Sequence, residues 1–326
     1  MISQRQMFRI PSRLVAFVLS ILWISTPIAQ DKYPSRPIQV VIPFPPGGAL
    51  DVGMRIIHPR LSAQLGVPLV LVNRPGAGGI IGLESVAKAA PDGYTLAATS
   101  TSTISVVAAT VPNVPYKITD LTPVGNYAVD VNVIVARAGA PWKTLEELTD
   151  YARKNPGKLS YGSPGIGTLA SFNVEAFKFE YGVDIVHVPF TGASQLKSAL
   201  LGEHISLGAM PYSVVSAEVM TGALRPLATS ASSRITDLPD VPTLTEKRVP
   251  EAISLVLGLF VPKGTPNHVV DILSKALQQS VEDPSISSAF RKTGMFVEFQ
   301  DGKRVAKHIE TEYRNVVEHS RKLKSR

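Results

Sequence analysis

From Ile38 onward the chain alternates short apolar runs with stretches in which apolar residues recur every three or four positions. Ile38–Phe44 (IQVVIPF) is a compact apolar run, the pattern of a strand buried on both faces of a parallel sheet. After Pro45-Pro46-Gly47-Gly48, residues Leu50, Met54, Ile57, Leu61 and Leu65 fall on one helical face. Pro59 lies within that pattern and is expected to kink or shorten the helix, because it lacks the N–H its position would donate. Val67–Asn73 reads as a second strand, Ile80–Ala90 as the next helix and Tyr94–Ser100 as a third strand. Strand–turn–helix repeated in this way predicts an α/β fold of right-handed βαβ units, with a parallel sheet covered by helices on both faces.

A change of lobe is expected near Val131–Ala136 (VNVIVA). Beyond it Thr144–Asn155 reads as a helix with a capping box, Thr144 at the cap and Glu147 three residues on. Further strands are expected at Leu159–Gly162, Ile185–Pro189, Ile205–Ala209 and Leu224–Thr229, with helices between them. Ser254–Val261 is an apolar strand placed to cross back. Thr265 then caps a helix that starts on Pro266, and a last helix runs from Arg304 to Lys322. With 326 residues the chain exceeds what one compact core usually holds. Two crossings put a second lobe (135–257) inside a first lobe built from 31–134 and 258–326. The resulting hinge of two strands allows closure around a ligand.

The first thirty residues have a different character. Arg5, Arg9 and Arg13 precede an apolar run, Leu14–Ile24, that is too short to span a bilayer but suits the core of a signal peptide. Small residues follow, and cleavage is expected near Ala29, which would export the mature protein to the periplasm. Loss of the three arginines takes the net charge from +7 to +4. The remaining Lys and Arg are scattered apart from Arg321, Lys322, Lys324 and Arg326, so no basic face for nucleic acid is predicted. The chain has no cysteine, which excludes disulfides, a thiol nucleophile, a lipidated cysteine anchor and thiolate metal sites.

The candidate chemistry lies in turns that end strands and open helices. Phe44, Pro45, Pro46, Gly47 and Gly48 form the first such turn, and Gly76, Ala77, Gly78 and Gly79 the second. In open α/β sheets this carboxyl edge is where ligands bind. Glycine lets main-chain N–H groups come close to a ligand, and a helix N-terminus favours negative charge there. Two turns side by side suit the two oxygens of a carboxylate. Ser100 and Ser102, after the third strand, join the candidates. From the other lobe come Ser163, Gly167, Thr168 and Ser171 after one strand, and Thr191 and Gly192 after the next. Valine at Gly48 or Gly78 is expected to abolish binding without unfolding the lobes.

The segments YPSRPIQVVIPFPPGGALDVGMR, NRPGAGGIIGLESVAKAAPDGYTL, NPGKLSYGSPGIGT, HVPFTGASQLKSALLG, GALRPLATSASSRITDLPDVPTLTE and GLFVPKGTP occur in this order from Tyr33 towards the C-terminus. Together they resemble the substrate-binding proteins of tripartite tricarboxylate transporters, the Bug family. The resemblance implies a type II periplasmic binding-protein fold, a monomer that holds a small carboxylate without a cofactor, and membrane permease subunits as partners. It assigns the proximal carboxylate to residues 44–48 and 76–79, through main-chain amides and ordered waters. Asp51 and Arg55 match a family pair and are read as an i,i+4 ion pair that supports the first turn. Two positions depart from the family pattern: Ser171 stands where His is frequent, and Met210 where Asp is common. Both changes remove a titratable group from the second lobe's side, which disfavours an amino-acid ligand and favours a less polar distal end.

Other classes fit less well. Gly76, Gly78 and Gly82 imitate a dinucleotide turn, but they follow the second strand, and Ala97–Thr101 supplies no acidic partner. No Gly-Lys-Ser/Thr follows the glycines, so a P-loop is excluded. Tyr161 occupies the first glycine position of a G-x-S-x-G elbow around Ser163. The six histidines show no metal-binding spacing. A sensor that presents the same ligand to a membrane partner remains an alternative to transport, because the cleft chemistry would be identical.

Overall fold

The computed structural model describes residues 33–249 and 253–324, so the expected signal peptide and its cleavage site lie outside the described residues. In chain order the elements are β1 (Ile38–Ile42), α1 (Ala49–Leu65), β2 (Leu69–Asn73), α2 (Ile80–Ala87), β3 (Thr95–Ser100), α3 (Thr101–Thr110), β4 (Leu121–Asp130) and β5 (Asn132–Arg137). There follow α4 (Leu145–Lys154), β6 (Leu159–Ser163), α5 (Leu169–Tyr181), β7 (Ile185–Pro189), α6 (Ala193–Leu201), β8 (Leu207–Pro211), α7 (Tyr212–Met220) and β9 (Leu224–Thr229). The chain ends with β10 (Leu255–Pro262), α8 (Asn267–Val281), α9 (Pro284–Lys292), β11 (Phe296–Val297) and α10 (Gly302–Lys324).

These strands form two sheets, in the order β11-β4-β10-β3-β1-β2 and β7-β6-β8-β5-β9. Side chains alternate across each sheet, so each lobe buries two cores. In the first lobe Ile38, Val40 and Ile42 face α1, α8 and α9, whereas Val41 faces α2 and α10. In the second, Ile134 and Ala136 meet α4 and α5, and Val133 and Val135 meet α6 and α7. A smaller cluster spans the lobes behind the cleft, joining Val106 of α3 and Val316 of α10 to Leu169 and Phe172 of α5. The His319 ring of α10 extends this contact, 5.5 Å edge-on from the Phe172 ring.

The structure corrects several expectations. The sheets are mixed rather than parallel: β1 pairs in parallel with β2 and β3, but β10 is antiparallel to both β3 and β4. The second sheet is mixed in the same way, with β5 antiparallel to β8 and β9. The antiparallel pairs come from the crossing strands, because the chain leaves the first lobe along β4 and returns along β10. The sheet changes at Val131, and β10 joins the first sheet from Leu255. Pro59 neither ends nor shortens α1, which runs through it for 17 residues. Its ring lies on the exposed face, and His58 Nδ1 lies 3.3 Å from the Arg55 carbonyl oxygen that proline leaves without a donor. The strand expected from Ile205 begins at Leu207, because Glu203 adopts a left-handed conformation and Ser206 bonds across to Ser160. Thr265 does not cap α8. Its hydroxyl donates to Pro262 O at 2.8 Å, and the helix starts at Asn267.

Candidate functional site

Between the lobes lies a small cavity of about 60 Å³, room for about four to six waters. Four helices open onto it by their N-terminal ends: α1 through Gly48, Ala49 and Leu50, α3 through Ser100, Ser102 and Thr103, α5 through Thr168, Leu169 and Ala170, and α6 through Gly192, Ala193 and Ser194. The first turn of a helix has amides without intrahelical partners, and its macrodipole is positive at that end. Side-chain caps take one donor at each of two ends: Ser100 Oγ accepts from Thr103 N, and Thr168 Oγ1 from Ser171 N. None of the described side chains lining the cavity carries a charge. Phe44, Leu50, Val107, Leu169 and Leu255 give it a largely apolar wall. The arrangement can bind one anionic group through main-chain dipoles and enclose an uncharged remainder.

The turn before α1 is organised by Asp51, which is 2% exposed. Its Oδ2 accepts from Gly47 N and from Arg55 Nε, each at 2.9 Å, and its Oδ1 from Asn73 Nδ2 at 3.1 Å. Asn73 also donates to Phe44 O at 2.9 Å, which ties the end of β2 to the first turn. Burial alone would raise the Asp51 carboxyl, but the bonds from Arg55, Gly47 and Asn73 together hold it below its ordinary value.

The lobes touch along both rims of the cleft. On one rim Gly192 sits where a Cβ would lie 2.8 Å from the Pro45 ring, and Ser194 Oγ donates to Pro46 O at 3.3 Å. On the other, Gly78 has φ +65°, and a Cβ there would lie 2.7 Å from the Ile166 carbonyl oxygen. Glycine is required at that position both for its backbone conformation and for the approach of the opposite lobe.

Of the residues singled out from the sequence, Phe44, Pro45, Gly48, Gly78, Ser100, Ser102, Thr168 and Gly192 line this cavity. The others are placed differently. Pro46 and Gly47 stand at the rim, with the Gly47 amide donated to Asp51. Gly76, Ala77 and Gly79 shape a 3-10 turn whose Gly79 N–H returns to Gly76 O. The Thr191 hydroxyl donates to Gln195 Oε1. Gly167 and Ser171 line a second cavity, behind the 164–168 loop, together with Glu175 and His187. Met210 is fully buried in the core against α6 and α7, so its substitution for an acid does not alter the cleft wall.

Ser163 is also fully buried, and its Oγ lies 2.7 Å from His187 Nε2. The His187 ring stacks on Tyr161 at 4.5 Å, and burial lowers its pKa. Glu175 bonds the Tyr161 hydroxyl and Lys178 rather than His187, so the pair holds the loop and forms no Ser-His-acid relay. Sequence reading missed Leu50, Thr103, Val107, Asn132, Leu169, Pro211 and Leu255 in the wall. Asn132 and Leu255 come from the two crossings, where the lobe change near Val131 was a usable signal. No sequence signal pointed to the rest.

Residues 54–320 match the family model described as the tripartite tricarboxylate transporter family receptor. The chain is 33% identical to Protein BugT of Bordetella pertussis over 289 residues, covering 87% of this chain and 89% of that protein. Among solved structures it is similar to MatC from Rhodopseudomonas palustris with bound malate, at 27% identity and a TM-score of 0.83, covering 88% and 99% of the two chains. R. palustris Rpa4515 with adipate matches at 28% identity and a TM-score of 0.81, covering 86% and 95%.

Proposed function

This chain belongs to the receptor family of the tripartite tricarboxylate transporters, and we propose that it captures one small organic carboxylate between its lobes and delivers it to the permease subunits of such a transporter. The observation that carries the reading is the convergence of four helix N-termini, two from each lobe, on a cleft whose described lining holds no charged side chain. Each helix end contributes about 0.3–1 kcal/mol to an anion in its first turn, so four ends favour a carboxylate over a neutral solute. The malate of MatC and the adipate of Rpa4515 support the same ligand class here.

In this account the ligand's carboxylate meets the amides of Phe44, Gly48 and Gly78 together with the first turn of α3, while Asp51 holds the Gly47 amide. Thr168, Gly192 and the second lobe close over the remainder. Val131 and the return into β10 form the hinge. The leader exports the chain to the periplasm, where it acts as a monomer, and it performs no chemistry on its ligand.

A thermal-shift panel tests the class. A ligand that binds only the folded protein raises the melting temperature by mass action. Small mono-, di- or tricarboxylates are expected to raise it, whereas NADH and neutral sugars leave it unchanged. Stabilisation by NADH or by neutral compounds alone would overturn the reading.

A further inference from the structure

Asn132 is the first residue of β5, directly after the crossing at Val131, and it lines the cleft. Its main chain is fully engaged: the N–H donates to Ser230 Oγ at 2.9 Å, and the carbonyl accepts from Ser230 N at 2.8 Å. What Asn132 has left to offer a ligand is its side chain. The residue is 4% exposed, yet neither Oδ1 nor Nδ2 has a hydrogen-bond partner among the described residues. The hydroxyls of the wall are committed, and the other carboxamide, on exposed Gln195, is engaged at Oε1. Ser100 bonds Thr103, Thr168 bonds Gly165 O, Ser194 bonds Pro46 O and Gln195 accepts from Thr191.

A buried carboxamide with an open donor and an open acceptor is unfavourable until something satisfies it. Within the carboxylate-binding reading, on which this step rests, we infer that Asn132 selects the distal end of the ligand, favouring a neutral planar group that both accepts and donates, such as a primary amide or a protonated acid. An ionised second carboxylate only accepts, so it meets Nδ2 favourably and Oδ1 unfavourably. A purely alkyl end leaves both atoms unsatisfied. An ammonium offers no acceptor to Nδ2 and finds no counter-charge in the wall. The ligand class is thus a small acid with a carboxylate at one end and a carboxamide-like group at the other.

Three acids of the same heavy-atom connectivity separate these cases: succinamate, succinate and 4-methylpentanoate. Isothermal titration of the protein is expected to rank succinamate about tenfold tighter than either of the others, the difference of one well-made buried hydrogen-bond pair. Asn132→Leu is expected to abolish that preference and bring 4-methylpentanoate level with succinamate. Asn173→Leu is the control. It too removes a buried carboxamide without partners, but Asn173 does not line the cleft, and the ranking should persist. If the wild-type protein binds all three alike, prefers succinate or keeps its preference after Asn132→Leu, the inference falls while the carboxylate reading stands. It falls in the same way if Asn173→Leu erases the ranking equally. If none of the three binds, both fall. The wild-type ranking decides the matter even where the leucine variant fails to fold.

Discussion

Asp51 acts on the cleft at one remove. Its buried carboxylate gathers the Gly47 amide, the Arg55 guanidinium and the Asn73 amide, and so fixes the turn from which α1 points at the ligand. Asp51→Ala is expected to cost about 1–3 kcal/mol of stability and to weaken carboxylate binding about tenfold or more, read by thermal melting and titration. The i,i+4 pairing with Arg55 was legible from the family resemblance together with its spacing. The Asn73 and Gly47 bonds were not, since they need the turn to exist first. Glu312 presents the opposite case. It is fully buried on α10, facing the Thr101 and Ser105 hydroxyls of α3, with His308 Nε2 3.7 Å away, and burial pushes its carboxyl up to about 7. Burial also lowers the His308 pKa, so His308 gives little charge to offset Glu312. The folded protein holds a proton there that the unfolded chain releases near 4.5. Stability from this group is therefore present at acidic pH and declines as pH rises to about 7, by about 3 kcal/mol. Glu312→Gln is expected to reduce the slope in melting curves taken between pH 4 and 8, with Asp130, whose carboxyl burial also raises to about 7, supplying a remainder of the same sign; an unchanged slope would refute the assignment.

At the scale of elements, the strand–turn–helix rhythm was readable because glycine turns and apolar runs are local signals. The direction of β10 was not readable, because an apolar run looks the same in either orientation and only the return crossing sets it. The start of β8 was missed for a related reason: the left-handed Glu203 has no sequence mark. The turns themselves separate by space. Gly48 would meet no atom closer than 3.7 Å, whereas Gly78 faces the opposite lobe's backbone at 2.7 Å. Gly66, at the end of α1, has nearly the same left-handed φ, +70°, with nothing within 4 Å. Alanine at Gly66 or Gly78 is expected to cost about 1 kcal/mol of backbone strain in each case. Gly78→Ala alone should also obstruct closure, with affinity for a carboxylate falling about tenfold or more and no compaction on ligand addition in small-angle scattering. Equal affinities for the two variants would show that the rim contact at Ile166 does not matter.

At the scale of the molecule, two lobes joined at Val131 and at the start of β10 also share an apolar contact behind the cleft, where α10 and α3 meet α5. The two-lobe plan was legible from length and from two apolar crossing segments. The mixed sheets and the contact of the last helix with the inserted lobe were not, because both depend on packing between distant parts of the chain. The central claim is that main-chain dipoles at converging helix ends, and no cationic side chain, hold the ligand's carboxylate. A crystal structure of the protein with the most stabilising acid of the thermal panel tests it most directly. The account predicts carboxylate oxygens about 3 Å from main-chain N–H groups among 44, 48–50, 78 and 101–102, with no Lys or Arg in reach. A carboxylate paired with Lys or Arg, or lodged in the second cavity beside Ser171 and His187, would contradict it.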